Sequence, residues 1–329
     1  RVPDTTTIDS LIKDKLTNRG WVKHIGNSES TLVNASTWAL LLTGKVLKNT
    51  KEPNVYNNIY LLIKKFGEPF IRKAVRAAMK EMGNQFVLGQ SIEKAVKRGT
   101  SSQKKGYTFS YDMLGEAALT NKDATTYTNA YAATISYLSK YCISDDIRNN
   151  PGISIKLSAL YPRYELVHKK AVLDILGNRL LDLALKAKKA NMGLNIDAEE
   201  AARLDLSLDI IEKVFSNPLL SGWNGFGVVV QSYSKRTLFV IDWLYALSSK
   251  YDQKIMVRLV KGAYWDTEIK ISQSEGMLDF PVFTSKAATD ISYLACASKL
   301  FEMTDYIFPQ FATHNAHTIY SILKIAKKK

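Results

Sequence analysis

From Gly106 onward, short apolar or β-branched segments alternate with amphipathic helical segments. The six short segments are Tyr107–Tyr111, Ile153–Leu157, Gly193–Asp197, Gly227–Gln231, Ile255–Leu259 and Tyr306–Gln310. A helix between the second and the third carries its apolar residues on one face, namely Val172, Ile175, Leu176, Leu180 and Leu183. Near-continuous apolar strands that alternate with helices predict a parallel sheet whose outer side is covered by helices.

Two α/β folds contain such a sheet, the doubly wound sheet and the (β/α)8 barrel. A residue capable of chemistry stands at or just after the end of nearly every strand: Asp112, Lys156, Asp197, Gln231, Arg258 and His314. Active sites of barrels lie at the carboxyl ends of the strands, whereas a doubly wound sheet binds its ligand at one switch point. No Gly-x-Gly-x-x-Gly phosphate loop occurs in the chain. The pattern therefore predicts a TIM-type (β/α)8 barrel.

The barrel is predicted to occupy residues 105–329, preceded by a helical arm over residues 1–104. In the arm, apolar residues recur at three- and four-residue intervals, as in Phe70, Ile71, Val75 and Met79. Only six strand–helix units can be counted after Gly106. We therefore expect the C-terminal units of the barrel to be missing from this chain.

The net charge of +14 comes largely from lysines scattered over predicted helices. That distribution favours a solvated surface, and no zinc-finger spacing or other nucleic-acid motif occurs, so no DNA-binding domain is predicted. Two cysteines make no disulfide framework, and His314 with His317 is too small a set for a metal site. Without a signal peptide or an apolar run of roughly 20 residues, the sequence predicts a cytoplasmic location.

Three segments combine charged and aromatic residues at predicted strand ends. Gly152–Leu160 carries Lys156, Leu194–Glu200 carries three carboxylates, and Val257–Trp265 carries an arginine, a glycine and two aromatic residues. A buried ion pair of Lys156 with Asp197 is also compatible with a purely structural network. A barrel aldolase that uses Lys156 as a Schiff-base amine, with Asp197 as proton shuttle, is a second hypothesis. A basic binding or regulatory module is a third.

Six ordered motifs of the chain resemble those of the proline dehydrogenases found in the bifunctional proline utilization A family. They are Phe109–Ala118, Gly152–Leu160, Leu194–Glu200, Trp223–Gln231, Met256–Asp266 and Gln310–His317. Upstream, Gly67–Ala74 resembles a helical segment specific to the bifunctional proteins. The resemblance therefore spans most of the chain.

The resemblance implies a barrel that binds FAD, oxidises L-proline to Δ1-pyrroline-5-carboxylate and passes the electrons to membrane quinone. It also implies peripheral contact with the inner face of a membrane. In the parent protein, a pyrroline-5-carboxylate (aldehyde) dehydrogenase module would accompany the barrel. Some members of the family carry a separate DNA-binding domain.

The resemblance also assigns roles to individual residues. Arg258 matches the arginine beside the flavin N5, where a fixed cation stabilises developing negative charge. Lys156 matches the lysine near the proline carboxylate, and Asp197 matches an aspartate beside substrate and flavin. Further substrate contacts are implied for Asp112, Glu116 and Tyr264. Flavin contacts are implied for Ala198, Gln231, Lys261, Gly262, Ala263, Tyr264, Trp265, Thr313, His314 and Asn315.

One part of the family pattern has no counterpart in the sequence. The family continues with a helix that carries an Arg-Arg-x-x-Glu motif, whose paired arginines clamp the proline carboxylate. A single lysine such as Lys156 does not reproduce the two parallel hydrogen bonds of an arginine clamp. We therefore expect the 329-residue chain by itself to hold FAD incompletely and to turn over proline poorly.

Overall fold

The computed structural model of the protein describes residue 83, residues 86–115 and residues 117–328. The chain divides into two units, Arg1–Lys105 and Gly106–Lys329. In the described part of the first unit, helix α1 spans Ile92–Gln103 and begins after Ser91, whose hydroxyl accepts a hydrogen bond from the backbone N of Lys94. The helix predicted around Phe70 lies outside the described residues. The division into a helical arm and a flavin-binding barrel stays a prediction.

The second unit contains one parallel sheet whose strands are ordered as they occur in the chain. Its described strands are β1 (Ser110–Asp112), β2 (Gly152–Ile155), β3 (Leu194–Ile196), β4 (Phe226–Gln231), β5 (Ile255–Val260) and β6 (Ile307–Phe311). Each strand pairs in parallel with the next one along the chain. A doubly wound sheet reverses its strand order at a switch point, and this sheet has no reversal.

Helices connect the strands. They are α2 (Asn121–Leu138), α3 (Lys169–Ala171), α4 (Gly177–Lys189), α5 (Leu204–Phe215), α6 (Thr237–Lys250), α7 (Trp265–Ser274), α8 (Lys286–Phe301) and α9 (Ala316–Ala326). Short 3₁₀ turns lie at Ser139–Tyr141, Ile147–Asn149, Leu157–Ala159, Leu166–His168, Ala201–Arg203 and Pro218–Leu220. None of the described helices is both long enough and apolar enough to cross a bilayer.

The helix predicted between β2 and β3 is present, with one difference in its buried face. Val172, Leu176 and Leu180 are fully buried, but Ile175 is 42% exposed. A π-helical turn at Val172–Leu176 interrupts the regular period between α3 and α4. The wider turn, with its i→i+5 hydrogen bonds, moves Ile175 off the face that packs on the sheet. The prediction for Ile175 was therefore wrong.

A contact between β5 and β1 shows that the sheet is curled. The Nη2 atom of Arg258 lies 2.8 Å from the Oγ atom of Ser110. In a flat sheet, four strand spacings of about 4.8 Å would separate these strands by about 19 Å, which an arginine side chain cannot span. The sheet therefore curls as in the predicted TIM-type barrel, with no pairing between β6 and β1 among the described strands, and Arg258 and Ser110 face its interior.

The two faces of the sheet differ in chemistry because side chains alternate along each strand. The strand register places Ser154, Asn195 and Gly227 in one interior row. The neighbouring Ile153, Leu194 and other outward residues are buried under the helices. The core thus lies between strands and helices, while the interior carries polar groups that converge on the carboxyl ends.

Candidate active site

Lys156 joins three strand ends. It follows β2, and its ammonium donates to the carboxylate of Asp112 at 3.0 Å and to that of Asp197 at 2.9 Å. Its backbone N donates to the hydroxyl of Tyr131, a fully buried residue of α2, at 3.2 Å. Burial alone would lower the pKa of Lys156, but the carboxylates of Asp197 and Asp112 raise it above its ordinary value. A Schiff-base lysine needs the opposite shift.

Arg258 lies inside the barrel and is held by uncharged groups. Its three nitrogen atoms contact Ser154 Oγ at 2.8 Å, Ser110 Oγ at 2.8 Å and Gln310 Oε1 at 3.2 Å. No carboxylate of the described residues forms a direct ion pair with the guanidinium. Burial lowers the pKa of Arg258, yet an arginine stays protonated at neutral pH. Its positive charge therefore remains available to a bound electron-rich group.

The loop after β3 is tied to the ends of the neighbouring strands. The carboxylate of Glu199 accepts from the backbone N of Ser158 at 2.9 Å and pairs with Arg203 at 2.6 Å. The carbonyl of Glu199 accepts from Gln231 Nε2 at 2.9 Å, and Gln231 Oε1 accepts from the backbone N of Ala263 at 3.1 Å. Glu199 was not among the predicted site residues, although it lies in the acidic segment Leu194–Glu200. The sequence did not show that Glu199 bridges the ends of two strands.

The segment after β5 passes over an aromatic ring. Gly262 has a φ of +142°, and a Cβ atom at this position would lie 2.4 Å from the ring of Tyr233. Only glycine fits such a backbone. Tyr264 is partly buried, and burial together with Glu199 and Glu200 raises the pKa of its hydroxyl. Trp265 is 40% exposed, and its indole N–H donates to the carbonyl of Phe283 at 2.9 Å.

Two lysines meet at the start of α8. Lys261, which follows β5, and Lys286, the first residue of α8, both contact the carboxylate of Asp290. Both contacts lower the pKa of Asp290. The N-cap residue Ser285 makes no side-chain cap hydrogen bond, so the first turn keeps unpaired amide groups. Lys286 was not predicted, because only a contact across the fold brings it to Lys261.

The predicted residues after β6 serve the local backbone. Asn315 caps α9, since its Oδ1 accepts from the backbone N of Thr318 at 2.9 Å. Thr313 Oγ1 accepts from the backbone N of Asn315 at 3.1 Å. His314 and His317 are exposed, and no group of three potential metal ligands occurs among the residues that were placed.

The predicted residues thus do not form a single hydrogen-bonded cluster. Lys156, Asp112 and Asp197 form one connected cluster. Gln231 and Ala263 belong to the hydrogen bonds that link the loop after β3 to the ends of β4 and β5. Ala198 lies in the loop after β3, between Asp197 and Glu199. Glu116 lies outside the described residues. Arg258 makes no hydrogen bond to this cluster and has uncharged partners, but it lies close enough for Asp197 and Asp112 to act on its pKa.

Comparison with known families gives two matches along the chain. The sequence profile of the family described as "Proline dehydrogenase" matches residues 95–329. The profile described as "DNA-binding domain of Proline dehydrogenase" matches residues 1–86. The second match corrects the prediction that the chain carries no segment of this kind. That prediction relied on local motifs and scattered lysines, neither of which reveals a match to a family profile.

Curated relatives match the chain over nearly its whole length. The bifunctional protein PutA of Klebsiella aerogenes is 50% identical over 326 residues, which are 99% of this chain and 25% of that protein. The bifunctional protein PutA of Rhizobium meliloti is 47% identical over 333 residues, covering 100% of this chain and 26% of that protein. The chain therefore spans about a quarter of the length of these relatives.

Solved structures show the same fold. A mutant of Bradyrhizobium japonicum proline utilization A matches with a TM-score of 0.72 and 45% identity, over 99% of this chain and 33% of that chain. Proline utilization A from Bdellovibrio bacteriovorus, inactivated by N-propargylglycine, matches with a TM-score of 0.75 over 96% of this chain and 36% of that chain. At 24% identity, the second match concerns the fold alone. The profile match over most of the chain and these relatives show that the chain belongs to the proline dehydrogenase family of enzymes.

Proposed function

We propose that this chain forms the part of a flavin-dependent proline dehydrogenase that oxidises L-proline to Δ1-pyrroline-5-carboxylate. The observation that carries the proposal is the convergence of Arg258 with the Lys156 cluster at the carboxyl ends of the barrel strands. The reaction removes two electrons and two protons from proline, as one hydride and one proton, and leaves a carbon–nitrogen double bond. Bound FAD would supply the acceptor for the hydride.

The residues of the barrel suit FAD in two places. A fixed cation whose described partners are neutral, Arg258, suits the electron-rich edge of an isoalloxazine ring. The start of α8, with Lys261 and Lys286 nearby, suits phosphate groups, because unpaired helix amides and ammonium groups both bind anions. We assign Gln231, Gly262, Ala263, Trp265 and Ala198 to the same cofactor site. Thr313, His314 and Asn315 complete the proposed set.

Proline is a small zwitterion, so its site needs a cation and acceptors. We assign the recognition of its carboxylate in part to Lys156, whose raised pKa keeps the ammonium charged across the neutral range. We assign Asp197, Asp112 and Tyr264 to the substrate side, and we assign Glu116 there from its match to the family motif. The two carboxylates hold the Lys156 side chain in place before substrate arrives, which reduces the entropy cost of binding.

The alternative is a barrel aldolase that uses Lys156 as a Schiff-base amine. The surroundings of the Lys156 ammonium disfavour this alternative. Two carboxylates within 3.0 Å stabilise the ammonium form, whereas a Schiff-base amine must be neutral to attack a carbonyl. Reduction by borohydride in the presence of a carbonyl substrate would add the mass of that substrate to the chain if the aldolase hypothesis held. We expect no such adduct.

We further propose that the electrons pass to a membrane quinone and that the parent protein contacts the inner face of the membrane from the cytoplasm. A pyrroline-5-carboxylate dehydrogenase module in the parent would consume the product. The PutA relatives, which are named bifunctional and are about four times as long as the chain, support the additional module. The quinone and membrane proposals rest on the resemblance of the sequence motifs. The match of residues 1–86 also raises DNA binding as a proposal, for which salt-dependent retention on DNA is the test.

The cofactor assignment is tested on the purified full-length protein. We expect absorbance bands at about 380 and 450 nm, which are typical of oxidised flavin. Heat release followed by mass analysis identifies the flavin as FAD or FMN. A colourless protein that neither retains nor takes up FAD would overturn the proposal.

A further inference from the structure

One buried carboxyl group at the carboxyl end of the barrel has no role in the proposed set. Glu268 lies in the first turn of α7 and is 5% exposed. Within the described part of the chain it forms no ion pair. Its Oε1 atom accepts a hydrogen bond from the backbone N of Ala201 at 2.6 Å. The side chain thus binds the backbone of a different strand end, the one that follows β3.

The amide of Ala201 opens the 3₁₀ turn Ala201–Arg203, which begins after Glu200. The side chain of Glu200 makes no cap hydrogen bond to this turn. Glu268 therefore satisfies an amide group that the turn itself leaves unpaired. A carboxylate bonded to a backbone amide makes one of the stronger hydrogen bonds in proteins.

This bond completes the attachment of the loop after β3 to its neighbours. On one side the carboxylate of Glu199 holds the loop to Ser158, beyond β2. At β4, Gln231 binds the carbonyl of Glu199. The bond from Ala201 to Glu268 supplies the attachment on the far side, to the helix that follows β5.

Glu268 is also linked to the segment that carries Tyr264. Its backbone N donates to the carbonyl of Tyr264 at 2.9 Å, and α7 begins at Trp265. A shift of Glu268 would therefore move the proposed substrate contact Tyr264 relative to Asp197, at the start of the loop.

The bond between Glu268 and Ala201 requires a carboxyl group to be buried, and this burial costs free energy. Burial raises the pKa of Glu268, and the nearby Glu200 adds to the rise. A buried carboxyl group without a cationic partner lowers stability. The role of this side chain is therefore better explained by its effect on the positions of the strand ends than by a contribution to stability.

We propose that Glu268 is a positioning residue, which fixes the loop that carries Asp197 relative to the segment that carries Tyr264. It touches neither substrate nor cofactor in this role. The inference rests on the proposed function, because its consequence is the spacing of two proposed substrate contacts.

The test compares Glu268→Ala with Glu268→Gln in the full-length protein, by steady-state kinetics with proline. Glu268→Ala removes the acceptor, and we expect KM for proline to rise about tenfold while kcat changes less. In Glu268→Gln the amide oxygen can accept the same bond, so we expect KM within about threefold of the parent value. The matched control is Glu275→Ala, at the exposed end of the same helix.

A second variant removes the donor of the same bond. It keeps the inference testable if Glu268→Ala fails to fold. Ala201→Pro removes the donor N–H at the first position of a helical turn, where proline is tolerated. The preceding Glu200 has φ −63° and ψ 153°, which suits a residue before proline. We expect Ala201→Pro to raise KM about as much as Glu268→Ala does. The double variant should be no worse than either single one, because both remove the same bond.

The outcomes separate the inference from the proposed function. If the parent protein itself does not oxidise proline, the proposed function fails and the inference fails with it. If the parent is active but Glu268→Ala keeps both KM and kcat within twofold, Glu268 has no positioning role. Equal loss in the Gln and Ala variants, or additive loss in the double variant, would also overturn the inference.

Discussion

Arg258 is the residue on which the chemistry of the barrel depends most. Replacement by methionine keeps an unbranched apolar stem but removes the cation, so the fold should persist. We expect Arg258→Met to raise the activation free energy of flavin reduction by about 2 to 4 kcal/mol, which slows the reaction. The variant flavin should also be harder to reduce. Stopped-flow reduction by proline and a redox titration measure the two effects. Unchanged rate and potential would refute the role of Arg258.

A substitution of Ser154, which holds the guanidinium of Arg258, should have a smaller effect on flavin reduction than the loss of Arg258 itself. Its hydroxyl is one of three neutral partners of the Arg258 guanidinium, at 2.8 Å. Ser154→Ala keeps the charge and loosens its placement, so we expect a smaller loss of about 1 kcal/mol in the same stopped-flow assay. An effect as large as that of Arg258→Met would mean that placement matters more than charge.

Lys156 contributes stability through its two carboxylate partners, and the sign of its pKa shift defines the pH range. A lysine whose pKa is raised on folding contributes stability that is fully present below the unfolded pKa and lost as the pH rises through the folded pKa. We therefore expect Lys156→Met to cost about 2 kcal/mol in urea unfolding, equally at pH 7 and pH 9. A cost that disappears by pH 9 would contradict the raised pKa.

At the scale of an element, the turn between β5 and α7 depends on Gly262. The backbone there has φ +142°, and the Tyr233 ring fills the space that a Cβ atom would need. We expect Gly262→Ala to lower the free energy of unfolding by about 2 to 4 kcal/mol. Gly276→Ala is the control, because Gly276 has φ +64° with open space around it and should lose about 1 kcal/mol. Equal losses in thermal or urea unfolding would mean that the Tyr233 contact does not matter.

The elements were predictable to different degrees from the sequence. All six strands appear where apolar segments were predicted, because buried parallel strands need continuous apolar residues. The first strand was placed too early, at Tyr107–Tyr111 instead of Ser110–Asp112. Tyr107 is 64% exposed, and β-branched or aromatic composition does not reveal where a neighbouring strand begins to pair. The π-helical turn at Val172–Leu176 was likewise invisible to a regular helical period.

For the whole molecule, the sequence predicted which residues stand at strand ends, and it indicated the pair of Lys156 with Asp197, but it did not predict contacts between distant strands. The cluster of Lys156 with Asp112 and Asp197 follows from strand order alone, since their strands are neighbours. Contacts between distant strands do not follow from strand order. Arg258 reaches Ser110 only because the sheet curls, and Glu268 contacts Ala201 only because the first turn of α7 lies beside the 3₁₀ turn that follows β3.

The most direct test of proline oxidation in this barrel is an anaerobic titration of the flavin-loaded full-length protein with L-proline. We expect the absorbance at about 450 nm to fall as the flavin is reduced, and to return when a quinone is added. The same titration of Arg258→Met should bleach far more slowly. A protein that retains its flavin, yet whose spectrum L-proline leaves unchanged at any concentration, would contradict a proline dehydrogenase site at the carboxyl ends of these strands.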